Sequence, residues 1–389
     1  MFLVPHTAKS FAVFSRDARE YTAEVKIGIL GHLHFPIREP FAGGLEAHTA
    51  RTAQAFAERG HEVILTAKAG SRLDDERVQI VDVLNADFTW RPADKLSPEA
   101  ADAQADALDK ATARGCRAVR DAGCDAVLNN SLHPAPYLHL RDMPMLTLLH
   151  TPATLERVNQ VLTHPSWKPE PWHRWASVSA SNATEWARML PRVDVIPNGV
   201  DVNAWPARLE RHDASSRRAV WTGRITPEKG THIAIEAAKI AGWELDVYGP
   251  ISDEQYFASS IEPELTDAVR YGGHLTHRDL AQAVAAADVL VASPLWPEPF
   301  GFVAAEALAC GTPVAALPNG AMPEVVGDAG AIADALSAEA LAEAITQAAK
   351  VDRQQARARA ELFVEDAAMD AYLAALGECR EVRDRLGRA

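Results

Sequence analysis

Arg224 and Lys229 stand on one glycine-bounded stretch, Trp221-Thr-Gly-Arg-Ile-Thr-Pro-Glu-Lys-Gly230, and Glu298 and Glu306 on another, Trp296-Pro-Glu-Pro-Phe-Gly-Phe-Val-Ala-Ala-Glu-Ala-Leu-Ala-Cys-Gly-Thr-Pro313. Two cations on one loop can neutralise a diphosphate without a metal ion. Pro297 and Pro299 fix φ and keep the residues before them extended, which sets Glu298 on a stiff loop. Gly301 lets the backbone come close to a ligand, and Phe302 to Cys310 are nearly all helix formers, stopped by Gly311 and Pro313. The opening N–H groups of such a helix suit a phosphate. Glu306 falls about one turn in, where a carboxylate can accept two hydroxyl protons from a ribose. Singly, each of these residues reads equally well as a loop acid or a solvated charge; together they describe a pocket for a phosphorylated sugar.

A third candidate is His150, at the end of the apolar run Met145-Leu-Thr-Leu-Leu-His150. Ligands in parallel sheets bind beyond the carboxyl ends of strands, so its place suits chemistry, although a lone strand-end histidine is as often structural. His32 and His34 have the spacing of a metal pair, but no third ligand is suggested nearby, and no metal is expected. Trp167, Trp172 and Trp175 read as packing of a long loop, with sugar stacking as the alternative.

These residues need elements to hold them. Val25–Leu30 reads as a buried strand, Gly43-Gly44 opens a helix over Leu45–Arg59 closed by Gly60, and His61–Ala67 is a second strand. Glycines at a helix start after a strand and loop mark a nucleotide-binding type of α/β unit. The spacing is not the dinucleotide fingerprint, since Gly43 stands ~12 residues past the strand. Further strands are expected at 78–83, 125–130, 145–150, 175–179 and 193–196, with a helix over 100–120. Ser181 or Asn182 is expected to cap a following helix. Residues 204–216 are rich in charge and breakers and read as a connection. The alternation then restarts, with strands at 219–222, 244–248, 288–292 and 312–317, helices at 232–241 and 338–350, and a terminal amphipathic helix over Phe363–Leu376 that packs back on the body.

Composition narrows the function. At 389 residues the chain exceeds one ordinary core. Its net charge of −14 argues against nucleic acid as a partner. Residues 25–200 carry 19 Lys and Arg against 21 Asp and Glu, whereas residues 201–389 carry 17 against 29, so a phosphate bound in the second half needs specific local cations. No apolar run approaches the ~18 residues of a membrane span, which limits membrane association to a peripheral kind. Cys116, Cys124, Cys310 and Cys379 form no CxxC pair and fit a reducing, cytoplasmic location. Residues 1–24 lack an apolar run and read as an extension of a composition that permits disorder.

The pairing of Gly-Arg-x-x-x-x-Lys-Gly (223–230) with Glu-x7-Glu (298–306), preceded by Gly43-Gly44 and Ile-Pro-Asn-Gly-Val-Asp (196–201), resembles the retaining glycosyltransferases of family 4, over roughly residues 25–375. The resemblance implies the GT-B fold: an N-terminal Rossmann-like acceptor domain (25–200), a linker (201–218), a C-terminal Rossmann-like donor domain (219–362) and a last segment (363–389) crossing back to the first domain. It implies transfer of a sugar from a nucleotide-diphosphate donor, expected to be a UDP-sugar, to an acceptor hydroxyl that the sequence does not identify, with no cofactor. Arg224 and Lys229 would neutralise the departing diphosphate. Glu298 and His150 would sit by the sugar, and Glu306 would hold the ribose. Gly43, Gly44, Gly249 and the backbone of Gly301, Phe302 and Val303 would line the donor, with His274 and Leu275 beside the base. A nonenzymatic nucleotide-sugar-binding protein, or another enzyme of this fold such as an epimerase or a phosphorylase, are the alternatives. Retention of four charged donor-site residues speaks against a decayed site, because buried unpaired charge destabilises a fold.

Overall fold

The computed structural model describes residues 24–92, 95–210 and 217–387. The expected extension therefore falls, apart from Glu24, outside the described residues, as do 211–216 of the expected connection.

Short apolar runs too uniform to alternate form strands buried on both faces, which requires parallel pairing with helices on either side. Among the described residues there are two such sheets. The first holds β1 (Lys26–Leu30), β2 (Glu62–Lys68), β3 (Val78–Leu84), β4 (Ala126–Asn129), β5 (Met145–Leu149), β6 (His173–Ser177) and β7 (Asp194–Val195), in the order β3-β2-β1-β4-β5-β6-β7. The second holds β8 (Arg218–Thr222), β9 (Glu244–Tyr248), β10 (Val269–Tyr271), β11 (Val289–Ala292), β12 (Val314–Ala316) and β13 (Gly330–Ile332), in the order β10-β9-β8-β11-β12-β13. In each sheet the order reverses once, at β1/β4 and at β8/β11, and a crevice opens beyond the carboxyl ends of those neighbours. The loop carrying Arg224 and Lys229 leaves β8, and the loop carrying Glu298 leaves β11. Both charged motifs thus emerge side by side at the second reversal.

Register in the first sheet sets Ile29 between Leu65 and Leu128, all fully buried. At roughly 1.5–3 kcal/mol for each such side chain, these contacts fix the sheet before any polar group is considered. Onto one face packs the Glu365–Leu386 helix, through Met369, Tyr372 and Leu376. It runs ten residues beyond Leu376, where the amphipathic pattern stops, and fills most of the 363–389 segment expected to pack back as a helix, because burial continues past Gly377: Cys379 is 1% exposed, and Glu378 pairs with Arg174 of β6. Near its start Arg51 holds Glu365 at 2.8 Å, and Arg59 holds Asp366 at 2.8 Å and Asp370 at 3.0 Å.

The chain passes between the halves twice at one place. Val200 and Val364 form a parallel bridge, with Val200 N donating to Phe363 O at 2.8 Å and Glu365 N donating to Val200 O at 3.1 Å. A side chain on Gly199 would stand 2.3 Å from Glu365 Cα, so the two crossings touch backbone to backbone.

The halves also meet through Glu324. Its carboxylate accepts from Ala180 N at 2.9 and 3.0 Å and from Ser181 N at 3.1 Å, at the start of the Ala180–Trp186 helix of the first half. The helix cap itself is Ser179, whose Oγ accepts from Asn182 N, and not Ser181 or Asn182 as expected; Asn182 instead turns inward and donates to Leu149 O at 2.8 Å. A carboxylate at an exposed helix start contributes about 0.3–1 kcal/mol. Glu324→Ala is therefore expected to raise the KM for any substrate held between the halves by about two- to fivefold through a looser cleft. Small-angle scattering of the free protein checks this, since the variant should be measurably more open; an unchanged profile and KM would assign the contact no role in closure.

Candidate functional site

β8 ends at Thr222, and the chain turns through Gly223 and Arg224 to a short 3-10 turn, Pro227–Lys229, before the Thr231–Ala241 helix. β11 ends at Ala292 and leads into Ser293-Pro-Leu-Trp296. Ser293 stitches the two loops together. Its Oγ accepts from Trp221 Nε1 at 3.0 Å and donates to Lys229 O at 3.1 Å, while Leu295 N donates to Glu228 O at 2.8 Å. The result is a close pair: Lys229 Nζ lies 2.6 Å from Glu298 Oε2, with the ammonium 5.0 Å from the centre of the Trp296 ring. Trp296 Nε1 donates to the same carboxylate oxygen at 2.9 Å. Arg224 stays more open, 3.8 Å from Glu228 and 42% exposed, free to swing toward an anion.

Behind Glu298 stands a turn that sequence reasoning missed, although Pro318-Asn-Gly320 is a turn signal. Ala321 N donates to Glu298 O at 2.8 Å, and Asn319 Nδ2 donates to Pro294 O at 3.2 Å. Gly320 has φ +61, and a Cβ there would lie 2.2 Å from both the N and the O of Glu298. The loop acid is therefore held at its backbone by a position that only glycine can fill.

Gly301, at φ +91, precedes the Phe302–Ala309 helix. The amides of Phe302 and Val303 are its first, where no helical carbonyl can reach them. Across the gap lies the start of the Gly44–Glu58 helix, with Gly43 as its cap. A side chain on Gly44 would come within 3.1 Å of Phe302 Cδ2. Two helix N-termini, both carrying partial positive charge, thus face one crevice together with Arg224 and Lys229, which is an arrangement for a polyanion.

Glu306 lies in this helix, and burial pushes its carboxyl up to about 7. A raised carboxyl binds more protons folded than unfolded, so its share of stability is complete at acid pH and declines as pH rises toward 7. If Glu306 accepts hydroxyl protons as a carboxylate, nucleotide affinity follows the opposite sign. The expected outcome is a nucleotide affinity that weakens by up to roughly tenfold per unit below about pH 7. Calorimetry across pH 5.5–8 on the native chain and on Glu306→Gln checks this; the variant should bind weakly and without that slope.

His150 follows β5. Its Nε2 is buried and has no hydrogen-bond partner among the described residues. Burial, with His48 and His32 nearby, drives its pKa well below 6.5, so the ring is neutral. His48, which sequence reasoning did not single out, packs edge-on to it at 4.6 Å, touches the Phe302 ring at 6.4 Å and places Nε2 3.3 Å from Tyr372 Oη. First half, donor-loop helix and terminal helix thus converge beside His150.

His32 and His34 do not form a metal pair. His32 Nε2 lies 2.9 Å from Glu46 Oε1, and His34 stacks on Trp90 at 4.4 Å, its pKa lowered by burial and by His32 to about 3. Among the described residues no group of three His, Cys, Asp or Glu could hold a metal ion. Glu46 was also missed; burial alone would raise it, but the bond and charge of His32 and the charge of Arg224 from the other half bring it below the ordinary value.

Three expected residues sit just past the ends of β9 and β10, with Gly249 packed against the Arg224 loop, where a Cβ on it would lie 1.8 Å from Gly223 O. Both backbone groups of Gly249 are engaged within the protein: its N donates to Gly273 O at 2.9 Å and its O accepts from Tyr271 Oη at 2.9 Å. His274 is exposed and Leu275 half-buried just after β10, at the sheet's edge. Trp167 packs edge-on to Tyr137 at 6.1 Å and to Trp175 at 6.4 Å, the packing reading.

Known proteins share the family and the fold of this chain. Residues 42–204 match the family model described as Glycosyltransferase Family 4, and residues 210–361 the one described as Glycosyl transferases group 1. A D-inositol 3-phosphate glycosyltransferase of Segniliparus rotundus is 29% identical, the match covering 82% of this chain and 80% of that one. A glycogen synthase of Mycobacterium tuberculosis is 27% identical, covering 73% and 76%. The sucrose-phosphate synthase of Thermosynechococcus elongatus shares the fold at a TM-score of 0.72 and 20% identity, covering 91% of this chain and 98% of that one. An Anabaena protein solved in complex with UDP-glucose does so at 0.66 and 19%, covering 90% and 98%.

Proposed function

The chain belongs to the family 4 glycosyltransferases, enzymes of GT-B fold, and on that premise we propose that it moves a sugar from a UDP-sugar to an acceptor hydroxyl with retention of anomeric configuration. The observation that carries this reading is the 2.6 Å pair of Lys229 and Glu298 at the mouth of the Phe302 helix, opposite Gly44. When the donor enters, its diphosphate takes Lys229 from Glu298. The ammonium then meets phosphate oxygens together with Arg224 and the amides of Gly301, Phe302 and Val303, while the freed carboxylate turns to sugar hydroxyls. Charge that grows on the leaving diphosphate is met by groups already in place. The Gly43-Gly44 helix start approaches the diphosphate from the other side, Glu306 holds the ribose, and Gly249, His274 and Leu275 border the base. The neutral His150 ring offers its unpartnered Nε2 to the sugar.

The nucleotide sugar is a substrate, and the reaction needs no metal or other cofactor. The acceptor sits against the first sheet, and the enzyme works in the cytoplasm. Support for a uridine donor comes from the Anabaena protein of like fold that was solved with UDP-glucose. A thermal-shift screen of UDP, GDP and ADP sugars tests the reading, since a ligand at 100 times its Kd adds ~2.7 kcal/mol to the folded state. UDP sugars should stabilise the chain, and hydrolysis or transfer should persist in EDTA. Stabilisation by none of the three, or activity lost on chelation and restored by a divalent ion, overturns the proposal in its respective part.

A further inference from the structure

One buried cation of the first sheet takes no part in the chemistry just proposed. Lys68 ends β2 and is 7% exposed. Its stem is covered, the ammonium lies 6.0 Å from the centre of the Phe88 ring, and it makes no hydrogen bond or ion pair among the described residues. Burial holds its pKa below the ordinary value; of the nearby charges Asp87 favours the ammonium and Arg38 opposes it. The carbon stem is buried while the ammonium tip reaches solvent, so the charge is open to a ligand and has no partner among the described residues.

Its surroundings are built rather than incidental. Ser71 Oγ accepts from Ile37 N at 2.8 Å and donates to Lys68 O at 2.6 Å, and Arg72 N donates to Ile37 O at 2.9 Å. These bonds tie the loop after β1 to the end of β2, which brings Arg38, an exposed cation on that loop, near enough for its charge to act on Lys68. The site lies at the carboxyl edge of the sheet, where β1 leads to His32 and β5 to His150. On the same loop the His34 ring is stacked on Trp90, with planes 14° apart, and Phe35 meets Trp90 edge-on at 6.1 Å. An aromatic platform therefore adjoins the loop that carries Arg38, and sugar or polyol rings lie well on such faces.

We propose that Lys68, with Arg38 beside it, binds a phosphate monoester carried by the acceptor, so that the acceptor is a small phosphorylated sugar or polyol whose ring rests on Trp90. Two cations match a dianion, and charge-assisted bonds to phosphate oxygens give the Lys68 ammonium the partner it lacks among the described residues. The proposal rests on the reading of the first sheet as the acceptor side of a transferase.

Labelling measures the site without an identified acceptor. The full chain is acylated with a limiting amine reagent, and the modification of Lys68 is followed by mass spectrometry with and without inorganic phosphate or glucose 6-phosphate. Both probes should slow labelling of Lys68 at least about threefold against chloride at equal ionic strength, and glucose should not. No protection by either probe overturns the proposal. Transfer from UDP-glucose is then compared for paired phosphorylated and unphosphorylated sugars and polyols. The phosphorylated member should be favoured by about 10- to 100-fold in kcat/KM, the scale of one charged hydrogen bond. That preference should collapse in Lys68→Met, which keeps the stem, and partly return in Lys68→Arg, with UDP affinity unchanged in both. A preference that survives Lys68→Met overturns the assignment. UDP binding, measured alongside by calorimetry, reads the donor half independently: its failure would sink the transferase substrate reading and leave the labelling result standing.

Discussion

Lys229→Ala is expected to cut transfer by roughly 10²-fold or more, the scale of losing one charge contact made in the transition state. The structure sharpens what should accompany that loss. In the free protein Lys229 already has a partner, Glu298 at 2.6 Å, so the variant leaves a carboxylate that is 15% exposed without its cation. That carboxylate then faces the incoming diphosphate as a like charge. Both kcat and UDP affinity should therefore fall, kcat by the larger factor, because the ammonium matters most when negative charge peaks on the leaving group. Lys229→Arg should recover part of the affinity and little of the rate, since a planar fork does not replace a point charge. Steady-state kinetics with UDP-glucose and an active acceptor, or donor hydrolysis in its place, decides the matter; near-normal turnover in Lys229→Ala would remove the residue from the mechanism.

The second large effect is expected at a residue that itself carries no charge. Gly320→Ala forces an L-residue to φ +61, and its Cβ meets the backbone N and O of Glu298 at 2.2 Å. A backbone cannot rotate out of the way as a side chain can, so the Glu298 loop must shift. Strain and displacement together should destabilise the chain by ~2–4 kcal/mol. A displacement on the scale of 1 Å at a reacting site can lower the rate by about 10²-fold. Gly60→Ala supplies the control: it has φ +89, yet nothing lies within 4 Å of its Cβ. The control should lose about 1–2 kcal/mol and keep full transfer. Urea unfolding and kinetics on both variants separate the two costs; equal behaviour would mean that the contact with Glu298 is irrelevant.

Much of this was legible in the residues. Strand runs such as Met145–Leu149 and Val289–Ala292 are continuous, apolar and flanked by breakers, so two parallel sheets and the GT-B fold followed from pattern and resemblance. The two charged loops could be read because each is bounded by glycine or proline and interrupts an otherwise acidic half. Among the short elements β10 and β13, of three residues each, escaped, whereas β7 and β12, which are no longer, were expected within the runs 193–196 and 312–317. Gly377 hid the last turns of the terminal helix from the amphipathic pattern, since its low helix propensity says nothing of the burial that overrides it. The partners of the site escaped for a different reason. Gly320 against Glu298, Glu46 against His32 and His48 against His150 are joined only by folding, and no spacing along the chain encodes them. His48 lies one turn along the helix opened by Gly43, a position that acquires meaning only once β5 is known to end beside it.

The bridge between Val200 and Val364 has one more consequence. Where the chain leaves the first sheet and where it returns are hydrogen-bonded neighbours, Val200 N to Phe363 O at 2.8 Å. In connectivity the donor half is accordingly an insert with both its ends at one doorway, and the first half, terminal helix included, is the host. Such a cassette can be lifted out and exchanged by two cuts a few ångströms apart without threading a new path through either core. On the proposed reading, donor choice and acceptor choice are separable by design, and a chimera joined at 200 and 364 is expected to keep the host's acceptor while taking the sugar nucleotide of its guest.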